Sequence, residues 1–422
     1  MPLRGRSRFP EGLTGAGPGR ILAAVLAAAL AAELAVLLLS PGDTGPDPIA
    51  VDAADWFSAD QIERARDFRG GQRNLMIAGL AIEWVALGAL ALGRPGWARR
   101  LLERAAARPI LGAAAAGAGI SLVLALLALP LGLIAHERAV DVGLSTQDLG
   151  SWLFDRVRGA GIALVLAGIG AAALIALQRR LPRLWWLAGA GVVVLYATVS
   201  TWLAPVVLAP VFNDFEELPD GPLRERVLEL ADEAGVDVGE VLRVDASRRG
   251  TALNAYVDGI GSSKRVVLYD NLIDDADRAE LEGVVAHELG HVAHDDVRRG
   301  ILFVAIVAPA GMLVVALAGT ALARRGGAQA GTPAALPAYA LTLAFVAFAI
   351  GLAGNQLSRG IERSADAFQL ELTDDPQALI DLQRRIAVTN LSDPDPRNAL
   401  DEVLRSHPST VQRIGAALAY GP

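Results

Sequence analysis

Seven stretches of this chain are apolar for long enough to dictate its architecture before any other feature does. A helix needs roughly 18 or more mostly apolar residues to cross ~30 Å of hydrocarbon, because lipid offers no partner to an unpaired backbone N–H or C=O. Runs of that kind lie near 21–40, 75–92, 110–135, 159–177, 184–211, 301–322 and 334–352. The 422-residue chain is 53% hydrophobic with a mean hydropathy of +0.39, too apolar for an ordinary soluble protein. The expected fold is an α-helical polytopic membrane protein with seven transmembrane helices.

Arg4, Arg6, Arg8 and Arg20 precede the first run, as basic residues precede the apolar core of a signal peptide. The run exceeds the usual length of such a core and no small-residue cleavage site closely follows Ser40, so a retained span is expected. The chain has no cysteine, which excludes thiolate ligands, disulfides and cysteine nucleophiles. Any metal must be held by nitrogen and oxygen. Net charge is −8, and the basic residues fall in short connecting loops rather than one stripe, which argues against nucleic acid as a partner. A membrane enzyme or a transporter remains, with the lipid bilayer as its surroundings.

The runs divide the chain into a membrane region of five spans (1–211), a water-facing region (212–300), a transmembrane hairpin (301–354) and a water-facing tail (355–422). In 212–300, turn chemistry at Pro219, Asp220 and Gly221 hands over to Leu223, Val227, Leu228 and Ala231 at helical spacing. The runs VLRVDAS, ALNAYVDG and KRVVLYD, separated by Arg249, Gly250, Gly259 and Gly261, read as a small antiparallel sheet. Asp274 and Asp275 then offer N-caps to a helix over 276–297. The region is thus a small α+β unit. No internal repeat is evident.

Arginines mark sidedness. The N-terminus, the loop with Arg94, Arg99, Arg100, Arg104 and Arg108, the turn with Arg179, Arg180 and Arg183, and the turn with Arg324 and Arg325 alternate with acidic or mixed loops. In a multi-pass protein of the cell membrane this pattern puts 212–300 and the tail on the non-cytoplasmic face. Two spans lie between those regions, so they share a face whichever it is.

Residues 284–297 read VVAHELGHVAHDDV. His287 and His291 are four apart, which leaves them only about 40° apart around a helix, so both imidazoles can bind one ion. Glu288 sits one step round, close enough to reach water on that ion without being a ligand. This HExxH arrangement is that of zinc peptidases, in which the metal activates water and the glutamate moves its proton. His294 is near the same face, but a third ligand continuing the same helix is geometrically awkward, and it is expected either on the surface or supporting a ligand. A better source of a third ligand is SRGIERSADAF, residues 358–368, where Glu362 and Asp366 stand at i and i+4. One can bind metal while the other accepts the free N–H of a ligating imidazole. Taken alone, Arg359, Glu362, Arg363 and Asp366 read better as a solvated charged face.

HELGH followed far downstream by SRxxExxAD resembles the membrane zinc metalloproteases of the type I CAAX prenyl endopeptidase family. WFSADQIERARDF, LAPVVLAPVFNDFEELPDGPL, LNAYVDGIGSSKRVVLYDNLI and SHPSTVQRI agree with it in order, from about Asp55 to Arg413. The resemblance implies one zinc ion per chain held by His287, His291 and Glu362, with Glu288 as general base and Asp366 orienting a ligand. It implies that Asn254, Ala255 and Tyr256, the NAY segment, bind substrate at a sheet edge. His407 and Arg413, an HPxxxxR element, are implied to steady the oxyanion or the bound peptide. An exposed edge near 253–257 suits this, because a peptide pairing with a strand is held extended by main-chain bonds. Members of the family also enclose a water-filled chamber, which Glu33 and Glu83 would line unless they snorkel to the nearby interface.

The implied activity is that of a zinc metalloendopeptidase acting on membrane-associated or misfolded proteins. Family resemblance implies a cytoplasmic catalytic face, opposite to the arginine pattern. Lys264 is the only lysine in an Ala- and Arg-heavy chain, a composition typical of GC-rich bacteria, in which prenylated CAAX substrates are not expected. The rival reading is a transporter or receptor-like protein that binds metal without hydrolysis. Glu288 separates the two, since a pure binding site has no need of an acid between two ligands.

Overall fold

The computed structural model describes residues 17–93, 95–259 and 264–420; Arg4, Arg6, Arg8, Arg94 and Gly261, and the side chain of Arg99, lie outside what it describes. Among the described residues seven helices are long and apolar enough to cross a membrane, one for each apolar run. They are α1 (Pro18–Leu39), α2 (Ala59–Gly88, prolonged by a wider turn to Gly93), α4 (Pro109–Asp141), α5 (Leu149–Arg180), α6 (Trp185–Leu203, continued to Phe212), α10 (Asp296–Arg325) and α11 (Leu336–Thr373). A short helix α3 (Gly96–Ala105) joins α2 to α4. Several helices run well past their apolar runs because local signals start them early. Ser58 caps α2 through a reciprocal capping box with Gln61, and Asp148 caps α5 by accepting from Gly150 and Ser151. Pro130 and Pro309 sit inside α4 and α10, where packed spans tolerate them.

Neighbouring spans pack in a closed ring, α2 to α4, α5, α6, α10, α11 and back to α2, with α1 lying against α10 and α11. Small residues let backbones approach where the ring is tight: a Cβ on Gly117 of α4 would meet Ala171 and the Ala167 carbonyl of α5. Glu33 is exposed on α1 with Oε1 3.4 Å from Gln356 Nε2 of α11, and Glu83 is half-buried on α2.

The water-facing region builds a four-stranded sheet from β1 (Phe215–Glu217), β2 (Glu240–Val244), β3 (Ala255–Asp258) and β4 (Arg265–Tyr269), in the order β1-β2-β4-β3. It is mixed, not antiparallel as the sequence suggested: β2 pairs β4 in parallel, and only the outer pairs are antiparallel. Alternation of side chains reports a strand but not its neighbour. Here the chain leaves β2 through a 3₁₀ turn at Ala246–Arg248, makes β3 as an edge, and returns β4 to the middle. One face, with Val241, Ala255, Val266 and Leu268, packs on α7 (Pro222–Glu233) and α9 (Arg278–Ala293). The central β4 is wholly buried at Val266, Val267 and Leu268.

Asp274 and Asp275 fall in a separate short helix, α8 (Asp270–Asp275), and the N-cap of α9 is Asp277, in a capping box with Glu280. α9 also stops earlier than its periodicity suggested. His294 is its C-cap and Asp295 adopts a left-handed φ of 57°, so the chain turns before α10 begins at Asp296.

The tail folds back as α12 (Pro376–Thr389), α13 (Ala399–Leu404) and α14 (Thr410–Tyr420). The segment after α1 straps over it, with Ala53 and Phe57 packed among Leu379, Ile380 and Ile414. Arg69 of α2 reaches the same tail, donating to the carbonyls of Asn390 at 2.5 Å and Leu391 at 2.9 Å where α12 ends. A cation there satisfies the last carbonyls and complements the helix dipole.

Candidate metal centre

α9 presents two faces of different character. Val285 and Leu289 are fully buried against the sheet, while His287, Glu288 and His291 look toward α11 and the tail. The His287 and His291 rings stand 4.9 Å apart at 90°, so their nitrogens converge rather than stack. Facing them is Glu362 of α11, with Oε2 3.4 Å from His287 Nε2 and Oε1 3.8 Å from His291 Nε2.

The remote nitrogen of each imidazole is also held by an acid. Asp366 Oδ1 lies 3.0 Å from His287 Nδ1, and Asp296 Oδ2 lies 3.0 Å from His291 Nδ1. With both Nδ1–H groups donated to carboxylates, both lone pairs are left on Nε2, toward Glu362. Ligands about 2.0–2.1 Å from a tetrahedral ion stand about 3.4 Å from one another, so the observed separations fit a single small cation. Ligand atoms of Glu288 lie with those of the two histidines within 4.8 Å. Glu362 faces both Nε2 atoms from α11, whereas Glu288 stands on the helix that carries the histidines.

Arg413 of α14 fixes Asp366 in turn. Its Nε donates to Asp366 Oδ2 at 2.8 Å and its Nη2 donates to Oδ1. The 3.4 Å approach of Nη2 to His287 Nδ1 sets donor against donor, so Asp366 takes both bonds. His407 sits at the mouth, with 60% of its side chain exposed and Nε2 3.3 Å from Glu362 Oε1. Its Nδ1 is 2.8 Å from Ser406 Oγ. The surrounding walls still desolvate it enough to lower its pKa, which keeps the imidazole neutral near pH 7.

Burial opposes charge on His287, but its bonds to Asp366 and Glu362 prevail and lift the metal-free imidazole to about 10. Burial also raises Glu288, against the opposing pull of His287 and His291. A carboxylate above its ordinary range is a stronger base than one in water.

A cavity of about 370 Å³ opens beside these groups, lined by Leu253, Asn254, Glu288, Glu362, Asn390 and His407 among others. Asn254 is exposed there, its Oδ1 accepting from Ala255 N at 3.0 Å. Ala255 is buried in the core, and Tyr256 lies on the other sheet face with its ring edge-on to Tyr269. Neither of these two lines the cavity; among the described residues β3 pairs with β4 and with no strand on its other side.

His294 turns away, with Nδ1 3.2 Å from Ser364 Oγ and its ring edge-on to Phe368. Sequence reasoning missed Asp296, Asn390 and Arg69. The first carried a faint signal, an acid five residues past the second histidine. The others carried none.

A peptidase-type helix, an acid delivered from a membrane hairpin and an open strand edge together define a membrane-embedded metallopeptidase. The chain belongs to peptidase family M48. The family model described as "Peptidase family M48" matches residues 217–420, and that described as "CAAX prenyl protease N-terminal, five membrane helices" matches residues 48–214. The chain is 30% identical over 372 residues to an uncharacterized metalloprotease YhfN of Bacillus subtilis, covering 86% of this chain and 87% of that one. It is 31% identical over 282 residues to a CAAX prenyl protease 1 homolog of Arabidopsis thaliana, covering 65% of each. The crystal structure of S. mikatae Ste24p shares the fold, with a TM-score of 0.75 at 18% identity over 93% of this chain and 97% of that one. The protein is a membrane metalloendopeptidase, and the reading of a metal-binding transporter without hydrolysis falls away.

Proposed function

We propose that the centre takes one zinc ion, held by His287, His291 and Glu362. The observation that carries this is the convergence of both Nε2 atoms on the Glu362 carboxylate, with each Nδ1 anchored by its own acid. Zinc bound there supplies a Lewis acid that lowers the pKa of water and polarises a peptide carbonyl. Glu288 accepts the proton of the attacking water at its carboxylate and delivers it to the leaving nitrogen. His407, neutral and with Nδ1 accepting from Ser406, points its Nε2–H at Glu362 Oε1, and would turn it to the developing oxyanion once the ion holds that carboxylate. Arg413 acts through Asp366, holding His287 in place. The peptide lies along the outer edge of β3, where Asn254, Ala255 and Tyr256 offer backbone groups and Asn254 its side chain.

The substrates in this reading are membrane-associated or misfolded proteins, bound by main chain and so with little regard for sequence. Prenylated chains, which the name of the plant relative denotes, are not required by the residues that line the cavity. The arginines of the turns at Arg179–Arg183 and Arg324–Arg325 gather on the face away from the site, which favours a non-cytoplasmic catalytic face in the cell membrane. The test is direct. Purified protein should contain one zinc per chain and hydrolyse an extended peptide, lose both properties to a chelator and regain both with zinc. Hydrolysis that survives complete metal removal would overturn the assignment. Single cysteines introduced into this cysteine-free chain, labelled from one side, report the face.

A further inference from the structure

The face opposite the metal centre carries a helix that the reaction does not use. α3 connects the second and third spans, so it lies where both leave the bilayer. It also touches the Pro333–Ala335 turn at the far end of the transmembrane hairpin. Its ten residues, GWARRLLERA, sort into three stripes. Ala98 and Leu102 face the protein. Trp97 and Leu101, one turn apart, are 52% and 56% exposed. Arg100 and Arg104, also one turn apart, are exposed, as is Arg108 just beyond the helix, and none of the three forms an ion pair with a described residue.

A helix with a stripe for its own protein, an apolar stripe left bare and a cationic stripe beside it has the composition of one lying in a membrane interface. Beneath it is a cavity of about 340 Å³ whose walls include Trp97, Leu101 and Leu102 with Ala116, Gly119 and Val123 of α4, all of them apolar. Nothing in such walls would hold water. A guanidinium fork matches phosphate bidentately, and the leaflet that faces α3 supplies phosphate and hydrocarbon in one molecule.

We propose that α3 binds one anionic phospholipid, with an acyl chain in the cavity beside Trp97 and Leu101 and the phosphate at Arg100, Arg104 and Arg108. Each arginine near an anionic surface is worth about fivefold in affinity, so the set gives a preference for anionic over zwitterionic headgroups of at least about tenfold. The cavity gives the chain selectivity that a charged surface alone lacks. Gly119 has open space where a Cβ would stand, so a larger side chain there fills the cavity without displacing a neighbour.

The experiment is native mass spectrometry of the full-length protein in detergent, titrated with phosphatidylglycerol or phosphatidylcholine. Wild type should retain one phosphatidylglycerol and prefer it at least about tenfold over phosphatidylcholine. Replacing Arg100, Arg104 and Arg108 together by Gln should abolish the preference, and the corresponding Lys variant, which keeps the charge, should restore most of it. Gly119→Leu should weaken both lipids while leaving their ratio unchanged. Soluble glycerol phosphate, which has the headgroup chemistry without the chains, should fail to compete. An equal affinity of wild type for the two lipids, a preference that survives the triple Gln variant, or effective competition by glycerol phosphate each overturns the proposal.

Discussion

His287 and Asp366 meet at 3.0 Å through Nδ1 and Oδ1, although one stands on α9 and the other arrives at the end of a transmembrane hairpin. The pair links an imidazole proposed as a zinc ligand to Arg413, whose guanidinium holds the same carboxylate. Asp366→Asn keeps the shape and weakens the grip on the Nδ1 proton. Zinc affinity should fall about 10- to 100-fold with the fold intact, read by competition with a chromophoric chelator. Unchanged affinity would mean that the pair serves packing alone.

Glu288→Gln separates binding from chemistry. The amide fills the same space but cannot accept a proton, so peptide hydrolysis should drop by about 10²–10⁴-fold while zinc content stays at one per chain. Residual activity near wild type would remove Glu288 as the base.

The third ligand is tested by a contrast. Glu362→Ala should lose the metal, whereas His294→Ala, whose ring faces Ser364 and Phe368, should keep it. Metal analysis of the two purified proteins decides, and the reverse result would exchange their roles.

The HExxH helix and the seven spans were legible because their signals are local: apolar length, and a spacing of four on a helix. Asp296 was not, because its approach to His291 depends on the left-handed turn at Asp295, a backbone choice that no periodicity announces. The parallel pairing of β2 with β4 was hidden for a similar reason, since strand order is set by where the chain crosses and not by the alternation within a strand. Glu362 was singled out with Asp366 from their spacing, but its choice as the ligand, and the roles of His407 and Arg413, came through family resemblance. Their own surroundings in the sequence look like charged surface.

Proton and zinc would compete for His287. The metal-free imidazole is raised from 6.5 to about 10 by Asp366 and Glu362 acting against burial. This raised group therefore stabilises the metal-free fold fully below the unfolded-state value near 6.5, and that contribution is lost as pH climbs through about 10. Zinc must displace the proton, so its apparent affinity should rise by up to about tenfold per pH unit across this window. Calorimetry in buffers of differing ionisation enthalpy should find about one proton released per zinc. A flat pH profile would count against a charged His287.

Asn390 ties the cleft wall to the tail, its Oδ1 accepting from Leu253 N at 3.2 Å. Asn390→Ala frees the start of the edge strand. One hydrogen bond of ordinary strength corresponds to about 2- to 10-fold, which should appear in KM for an extended peptide more than in kcat. An equal loss in both would place Asn390 in the chemistry instead.

α11 is a single helix of 38 residues with no proline after its first turn. At 1.5 Å per residue it carries Glu362 about 39 Å from Leu336, on a rod anchored in lipid, while the two histidines ride on α9 outside it. A bilayer that thins or thickens re-tilts such a rod. The three proposed ligands would then move against one another, so the thickness of the surrounding sheet would become a setting of the catalyst, and the enzyme a gauge of the membrane that holds it.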